Sequence, residues 1–143
     1  MNITKRRSFF KKAAGWLLTI TGLLSFRSSS KAAAPKTETI KGSFLHIVFF
    51  WLKEPGNVSD RQKFEGELKA FIDNTPGIRS KHIGTPANTS RPVIDSTYCY
   101  SLVLSFDSKK EHDAYQEHPL HKTFIENAGP LWEKVQVYDS ELM

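Results

Sequence analysis

One seven-residue segment of the chain brings together side chains that can transfer protons. It runs Tyr115-Gln-Glu-His118-Pro119-Leu-His121, and so it holds one phenol and two imidazoles. A neutral imidazole, whose unperturbed pKa is about 6.5, can take a proton from a carbon next to a carbonyl group at neutral pH. A phenol hydroxyl can stabilise the enolate oxygen that this step creates. The segment is therefore a candidate for acid–base chemistry or for polar contacts to a ligand.

The same residues also have structural interpretations, which the sequence leaves open. A residue before proline resists the helical region, so His118 can mark a helix break and bond the freed backbone carbonyls. Tyr115 and His121 can form a buried, satisfied pair without a catalytic role. His46 lies among apolar residues and is either a core histidine or part of the same pocket. The sequence identifies these residues as candidates but does not distinguish a structural role from a role in catalysis or ligand binding.

The remaining histidines and the cysteine do not form a familiar metal-binding pattern. His118 and His121 are three residues apart, but no carboxylate or third histidine follows at a spacing typical of zinc or iron sites. His82 and His112 are expected to be exposed. Cys99 is the only cysteine, which excludes an intrachain disulfide and a cysteine-rich zinc site. We therefore predict no metal and no cofactor.

Hydrophobic patterning predicts the elements that must position these side chains. In chain order they are a strand at 43–53, a helix at 59–74, strands at 78–85 and 97–106, a helical region from 108 to about 127 that is interrupted at 118–119, and a strand at 132–140. Ser59 is the predicted N-cap of the first helix, and Ser108 with Glu111 forms a capping box for the second. The order β-α-β-β-α-β predicts a ferredoxin-like α+β fold with a four-stranded antiparallel sheet.

The first predicted strand is apolar on both faces. One face carries Phe44, Val48, Phe50 and Leu52, and the other carries Leu45, Ile47, Phe49 and Trp51. Two helices cover only one face of such a sheet, and leaving four large side chains in water would forgo about 6–12 kcal/mol at about 1.5–3 each. We therefore predict a homodimer through the sheet face, in which the second copy covers the exposed apolar side chains and an interior chamber results. The alternative is that Phe49 and Trp51 pack under the loop 86–96 of the same chain.

Residues 1–34 have the parts of an export signal. The basic start matches most of a twin-arginine motif through Arg6, Arg7, Phe9 and Lys11. The apolar stretch 13–26 would be about 21 Å long as a helix, short of the roughly 30 Å hydrocarbon core, so no permanent membrane span is predicted. Cleavage between Ser30 and Pro35 would release a protein to the periplasm or outside the cell; the alternative is a retained anchor or a basic tail.

Net charge separates this leader from the rest of the chain. The whole sequence carries +5, but residues 1–34 hold seven of the 20 basic residues and none of the 15 acids. The remaining chain, with 35–42 as a linker and 43–143 as one domain, is slightly acidic. A slightly acidic domain gives no electrostatic case for binding nucleic acid.

Four segments of the domain resemble the stress-responsive A/B barrel (Dabb) family. They are HIVFF at 46–50, TPGI at 75–78, YQEHPLH at 115–121 and VQVYD at 135–139. The resemblance covers about residues 43–140 and implies a dimeric α+β barrel. It also implies, from plant members that close a ring by aldol chemistry without metal or cofactor, that Tyr115 and His121 are the catalytic pair. His46, His118 and Asp139 are then expected at the pocket, with Asp139 orienting His121.

Three functions are consistent with these observations. The first is an exported dimeric barrel that binds a small apolar or aromatic ligand in an interior pocket. The second is an enzyme that abstracts a proton next to a carbonyl group, with His121 as base and Tyr115 as its partner. The third is a structural role in stress tolerance without catalysis. A cavity that contains Tyr115 and His121 would favour the first two over the third.

Overall fold

The computed structural model of the protein describes residues 37–143. The predicted export signal and its twin-arginine motif lie outside the described residues. The described chain consists of β1 (Phe44–Leu52), α1 (Val58–Asn74), β2 (Ser80–Gly84), β3 (Tyr100–Phe106), α2 (Lys109–Glu117), α3 (Pro119–Ala128), a 3-10 turn (Gly129–Leu131) and β4 (Trp132–Glu141). No helix in this part of the chain is long and apolar enough to cross a membrane.

The four strands form one antiparallel sheet in the order β2-β3-β1-β4. With the helices between β1 and β2 and between β3 and β4, this is the ferredoxin-like α+β fold that the patterning predicted. The register of the central strand matters for the site. His46 of β1 lies opposite Leu104 of β3 on one side and Asp139 of β4 on the other.

The starts of α1 and β3 differ from the prediction for local reasons. The N-cap of α1 is Asn57, whose side chain accepts the backbone N–H of Ser59 at 3.0 Å. Asparagine caps a helix as well as serine does, so the cap falls two residues earlier than predicted. β3 begins at Tyr100, and not at 97, because the Asp95 carboxylate accepts the backbone N–H of Thr97 in a local turn.

The helices cover one face of the sheet, which we call the inner face. β1 buries every second residue there, and β3 adds four side chains that are each at most 2% exposed: Tyr100, Leu102, Leu104 and Phe106. The apolar stripe of α1 packs onto this face through Phe64, Leu68, Phe71 and Ile72. The spacing of these residues in the sequence predicted that stripe.

The opposite face, which we call the outer face, is covered only in part by its own chain. Its β1 side chains are half-buried: Leu45, Ile47, Phe49 and Trp51. The Trp51 indole donates to the Thr97 hydroxyl at 2.9 Å, and the Phe49 ring packs edge-on against Tyr98 at 4.8 Å between centroids. These contacts come from residues directly after the predicted loop 86–96, and the four β1 side chains remain partly exposed.

Candidate functional site

A cavity of about 320 Å³ opens on the inner face, between the sheet and the helices. Its walls are mostly apolar and include Val48, Phe71, Phe124, Ile125, Val135 and Val137. Four polar side chains also line it: His46, Tyr115, Gln116 and His121. All of these residues belong to one chain. The cavity lies on the helix-covered face of the sheet, and side chains of one subunit line it.

Tyr115 and His121 meet at this cavity because a helix break brings them together. Tyr115 lies in the last turns of α2, and His121 lies in the first turn of α3. Their ring centroids are 5.1 Å apart, and the ring of Phe71 lies 5.5 Å and 5.2 Å from them. The Phe71 ring of α1 therefore packs against both polar side chains, and both line the same cavity.

His118 lies at the break between the two helices, where it is both the C-cap of α2 and the N-cap of α3. Its imidazole Nδ1 accepts the backbone N–H of Leu120 at 3.2 Å, and Pro119 occupies the first helical position of α3. The His118 side chain thus caps the start of α3, and its backbone N–H donates to the Tyr115 carbonyl oxygen at 3.1 Å at the end of α2. It lines a separate shallow groove with Gly77 and Glu111, and it is not among the residues around the cavity, where the sequence analysis had expected it.

The His121 imidazole is held as a neutral base. Burial lowers its pKa, and the opposing contribution comes from a hydrogen bond at 3.0 Å between Nδ1 and the Gln116 carbonyl oxygen. A carbonyl oxygen only accepts, so Nδ1 carries the proton and Nε2 is left with its lone pair. The arrangement provides an acceptor for a proton or for a ligand hydroxyl.

The Tyr115 hydroxyl is held as a donor. It is 3% exposed, and burial raises its pKa first, with the nearby Asp139 charge acting in the same direction. Both effects disfavour the phenolate, so the hydroxyl keeps its proton at neutral pH. Tyr115 and His121 together present one donor and one acceptor to the cavity.

Asp139 pairs with His46 and not with His121. Their side chains are cross-strand neighbours in β1 and β4, and His46 Nδ1 lies 2.7 Å from Asp139 Oδ1. Burial lowers the pKa of His46 and outweighs the attraction of the carboxylate. The expected Asp139–His121 contact was therefore wrong: the strand register, which the sequence does not reveal, decides the partner.

His112 is buried, contrary to the expectation of an exposed side chain. It is 6% exposed and stacks on Phe44 with 4.5 Å between ring centroids, and its ring lies 4.9 Å from that of His46. It shares the sheet-facing side of α2 with Tyr115, three residues later. That spacing was the signal in the sequence that could have revealed it.

Within residues 37–143, one group of side chains has the donor atoms to hold a metal ion. It consists of His46, His112 and Asp139, whose ligand atoms lie within 4.8 Å of one another. The three residues come from β1, α2 and β4, so their separation in sequence follows no familiar motif. The sequence spacing of His118 and His121 therefore gives no indication of these three residues.

A family of known proteins matches most of the chain. The sequence profile described as Stress responsive A/B Barrel Domain matches residues 44–142. No curated protein matches the sequence.

Solved structures share the fold at low sequence identity. A Dabb-family protein of Mesorhizobium loti with a ferredoxin-like fold has a TM-score of 0.60 and 22% identity, covering 72% of this chain and 99% of that one. A dimeric ferredoxin-like protein of unknown function from Bacteroides fragilis has a TM-score of 0.56 and 23% identity, covering 73% and 100%. Hydroxynitrile lyase from Passiflora edulis has a TM-score of 0.59 and 17% identity, covering 71% and 94%. At these identities the likeness shows the fold alone.

Proposed function

The chain belongs to the stress-responsive A/B barrel domain (Dabb) family, and we propose that it binds a small apolar or aromatic ligand in the inner-face cavity. The observation that carries this proposal is a mostly apolar cavity with a few convergent polar groups, which is the usual composition of a small-molecule site. Its volume of about 320 Å³ is at the lower end of the range for such sites and suits a compound of one or two rings.

The polar groups define the chemistry of the ligand. Tyr115 offers a hydroxyl donor, and His121 offers an unprotonated Nε2 as acceptor. A ring compound that bears a carbonyl or hydroxyl group would satisfy them, while its apolar part contacts Phe71, Phe124 and Val137. Charged ligands are disfavoured because the apolar walls cannot replace their hydration.

Ligand stabilisation tests this proposal. Phenol, benzaldehyde and acetophenone would be added in excess to the purified protein, and thermal unfolding would be followed. A ligand that binds the folded state raises Tm with its concentration. The Val137→Trp variant, which fills the cavity, should lose the shift, and Val93→Trp, at a position that is 85% exposed, should keep it. An equal shift in both variants, or no shift with any compound, would favour a structural role instead.

We also propose that two copies pair through the outer face. The support is the half-buried apolar row Leu45, Ile47, Phe49 and Trp51, together with the dimeric state of the similar Bacteroides fragilis protein. Light scattering tests it. Phe49→Asp should produce monomers at concentrations where the natural sequence is dimeric, and Val58→Asp, at a position that is 66% exposed on α1, should not. A monomer for the unaltered protein would contradict the pairing.

A second candidate function is proton abstraction next to a carbonyl group without a cofactor. It is favoured by the neutral His121 base beside the protonated Tyr115 hydroxyl, 5.1 Å apart between ring centroids. In such a step Nε2 of His121 would take the proton and Tyr115 would hydrogen-bond the developing oxyanion. Deuterium exchange of the methyl protons of acetophenone, followed by NMR, tests this function. Exchange that is unchanged in His121→Ala would contradict it.

We further propose that residues 1–34 direct export by the twin-arginine route. The support is the order of Arg6, Arg7, Phe9 and Lys11 ahead of an apolar stretch. Cell fractionation and N-terminal sequencing test it. Replacing both arginines by lysine should retain the protein in the cytoplasm, and the mature protein should begin between Ser30 and Pro35. A mature protein that still begins at Met1 would contradict cleavage.

A further inference from the structure

His46, His112 and Asp139 form a cluster of side chains that can bind a metal ion, and His46 also lines the cavity. Their donor atoms lie within 4.8 Å of one another, and the first two are buried at 4% and 6% exposure. Asp139 lies on the edge strand with a side chain that is 40% exposed. Three different elements contribute these residues, so the fold, and not local sequence, brings them together.

His112 is the unexplained member of this cluster. Its Nδ1 is fully buried and has no hydrogen-bond partner among the described residues. Asp113 Oδ1 lies 3.4 Å away, within ion-pair distance but without hydrogen-bond geometry, and the Asp113 side chain is mostly in solvent. A buried polar nitrogen without a partner destabilises the fold, because it has lost its hydration without gaining a hydrogen bond. The other ring nitrogen, Nε2, lies 3.0 Å from the side-chain amide of Gln116, so Nδ1 is the nitrogen of His112 that lacks a partner between Phe44 and Phe106.

We propose that His46, His112 and Asp139 bind one divalent transition-metal ion of the zinc type. The donor set of two imidazole nitrogens and one carboxylate oxygen suits zinc, cobalt or ferrous iron. Magnesium and calcium prefer oxygen ligands throughout and are disfavoured. The single carboxylate offsets part of the charge of the ion, and both imidazoles bind as neutral ligands.

The geometry requires a small closing movement. Zinc lies about 2.0–2.1 Å from nitrogen and oxygen ligands, so tetrahedral ligand atoms are about 3.3 Å apart. The three ligand atoms are up to 4.8 Å apart in the structure. The side chains must therefore move closer together before all three can bind one ion. Asp139, on the open edge, has the freedom to make that adjustment. Three protein ligands leave a fourth position, and because His46 lines the cavity, that position is next to the proposed ligand site.

Calorimetric titration of zinc chloride into the purified, untagged protein tests this proposal. We expect one zinc ion per chain. His112→Gln and Asp139→Asn should each weaken binding by more than about tenfold, because loss of even an outer-shell partner costs 10–100-fold in metal affinity. His82→Gln, which removes an exposed imidazole from β2, should bind zinc as the natural sequence does. Asp139→Asn alters an exposed side chain, so it folds even if the buried His112 variant does not.

Cobalt(II) gives a second, spectroscopic readout of the same site. The bound ion should show the intense visible absorption of a low-coordinate nitrogen and oxygen site, and Asp139→Asn should abolish it. Absence of zinc binding by the natural sequence, normal binding by both ligand variants, or loss of binding in His82→Gln would overturn the proposal.

The outcome is distinct from that of the cavity proposal. His112 and Asp139 are not among the cavity-lining residues, so their variants should keep the thermal shift with small aromatic compounds. Val137→Trp should lose that shift and still bind zinc. Either function can therefore fail without the other.

Discussion

The helix-covered face of the sheet has two halves that are closed to different degrees. In the half around β3, Leu104 and Phe106 are both 0% exposed, and Leu68 of α1 is 1% exposed. In the half around β4, Val135 is 36% and Val137 is 41% exposed although both point to the same face. The first half is a sealed core, and the second is the open wall of a cavity.

The difference shows how one small sheet can serve both stability and binding. The burial that stabilises the fold is concentrated in the sealed half. The His46–Asp139 pair, with 2.7 Å between Nδ1 and Oδ1, lies toward the open half, and its carboxylate still reaches water. A buried imidazole with a partly hydrated partner costs less than one enclosed on all sides. The incomplete packing of the open half thus lowers the cost of burying His46.

The largest expected effect is a difference in stability between substitutions in the sealed half and in the open half. Leu104→Ala should lower the free energy of unfolding by about 2–5 kcal/mol, because it leaves a cavity in a sealed core. Val137→Ala should cost less than about 1 kcal/mol, since its side chain is already partly exposed. Urea denaturation of both variants measures the difference. Equal losses would contradict the distinction between the halves.

The next effect concerns the two histidines that flank the helix break. His121→Ala should weaken binding of a ring ketone or phenol by about threefold to tenfold, as expected for the loss of one hydrogen bond of 0.5–1.5 kcal/mol. His118→Ala should destabilise the fold by about 1 kcal/mol through the lost cap and leave the affinity unchanged. Calorimetry and denaturation together distinguish the two. A stronger effect of His118→Ala on affinity would place the site in the other groove.

The smallest effect is the dependence of stability on pH. Burial lowers the pKa of both His46 and His121, so the unfolded chain binds more protons than the folded one in mildly acidic solution. The free energy of unfolding should therefore be undiminished above pH of about 6.5 and fall as the pH drops below it. Urea denaturation between pH 5 and about 8 should show this fall, and it should be shallower in His121→Gln.

An opposite slope would contradict this electrostatic description. If the Asp139 charge outweighed burial at His46, protonation would favour the folded state, and stability would rise on mild acidification.

Much of the fold could be predicted from the sequence because its cues are local. The alternation in 43–53 and the stripe beginning at Phe64 correspond to β1 and α1, and Pro119 marked the break between α2 and α3. Strand and helix periodicities act over a few residues, and proline limits its own neighbours, so neither needs the tertiary structure.

The parts of the site that were missed depend on distant contacts. The His46–Asp139 pair follows from strand register, and a shift of one residue would have separated them. The burial of His112 follows from which side of α2 faces the sheet. The cavity follows from how far the helices extend over β4. None of these is fixed by a short stretch of sequence.

The central claim is that the open half of the inner face is a ligand site. Protein-observed NMR with phenol, benzaldehyde and acetophenone tests it most directly, because it locates binding by residue. We predict saturable shifts that cluster at Tyr115, His121, Phe124 and Val137 and that disappear in Val137→Trp. Saturable shifts confined to the outer face, or none at millimolar concentrations of all three compounds, would contradict the claim.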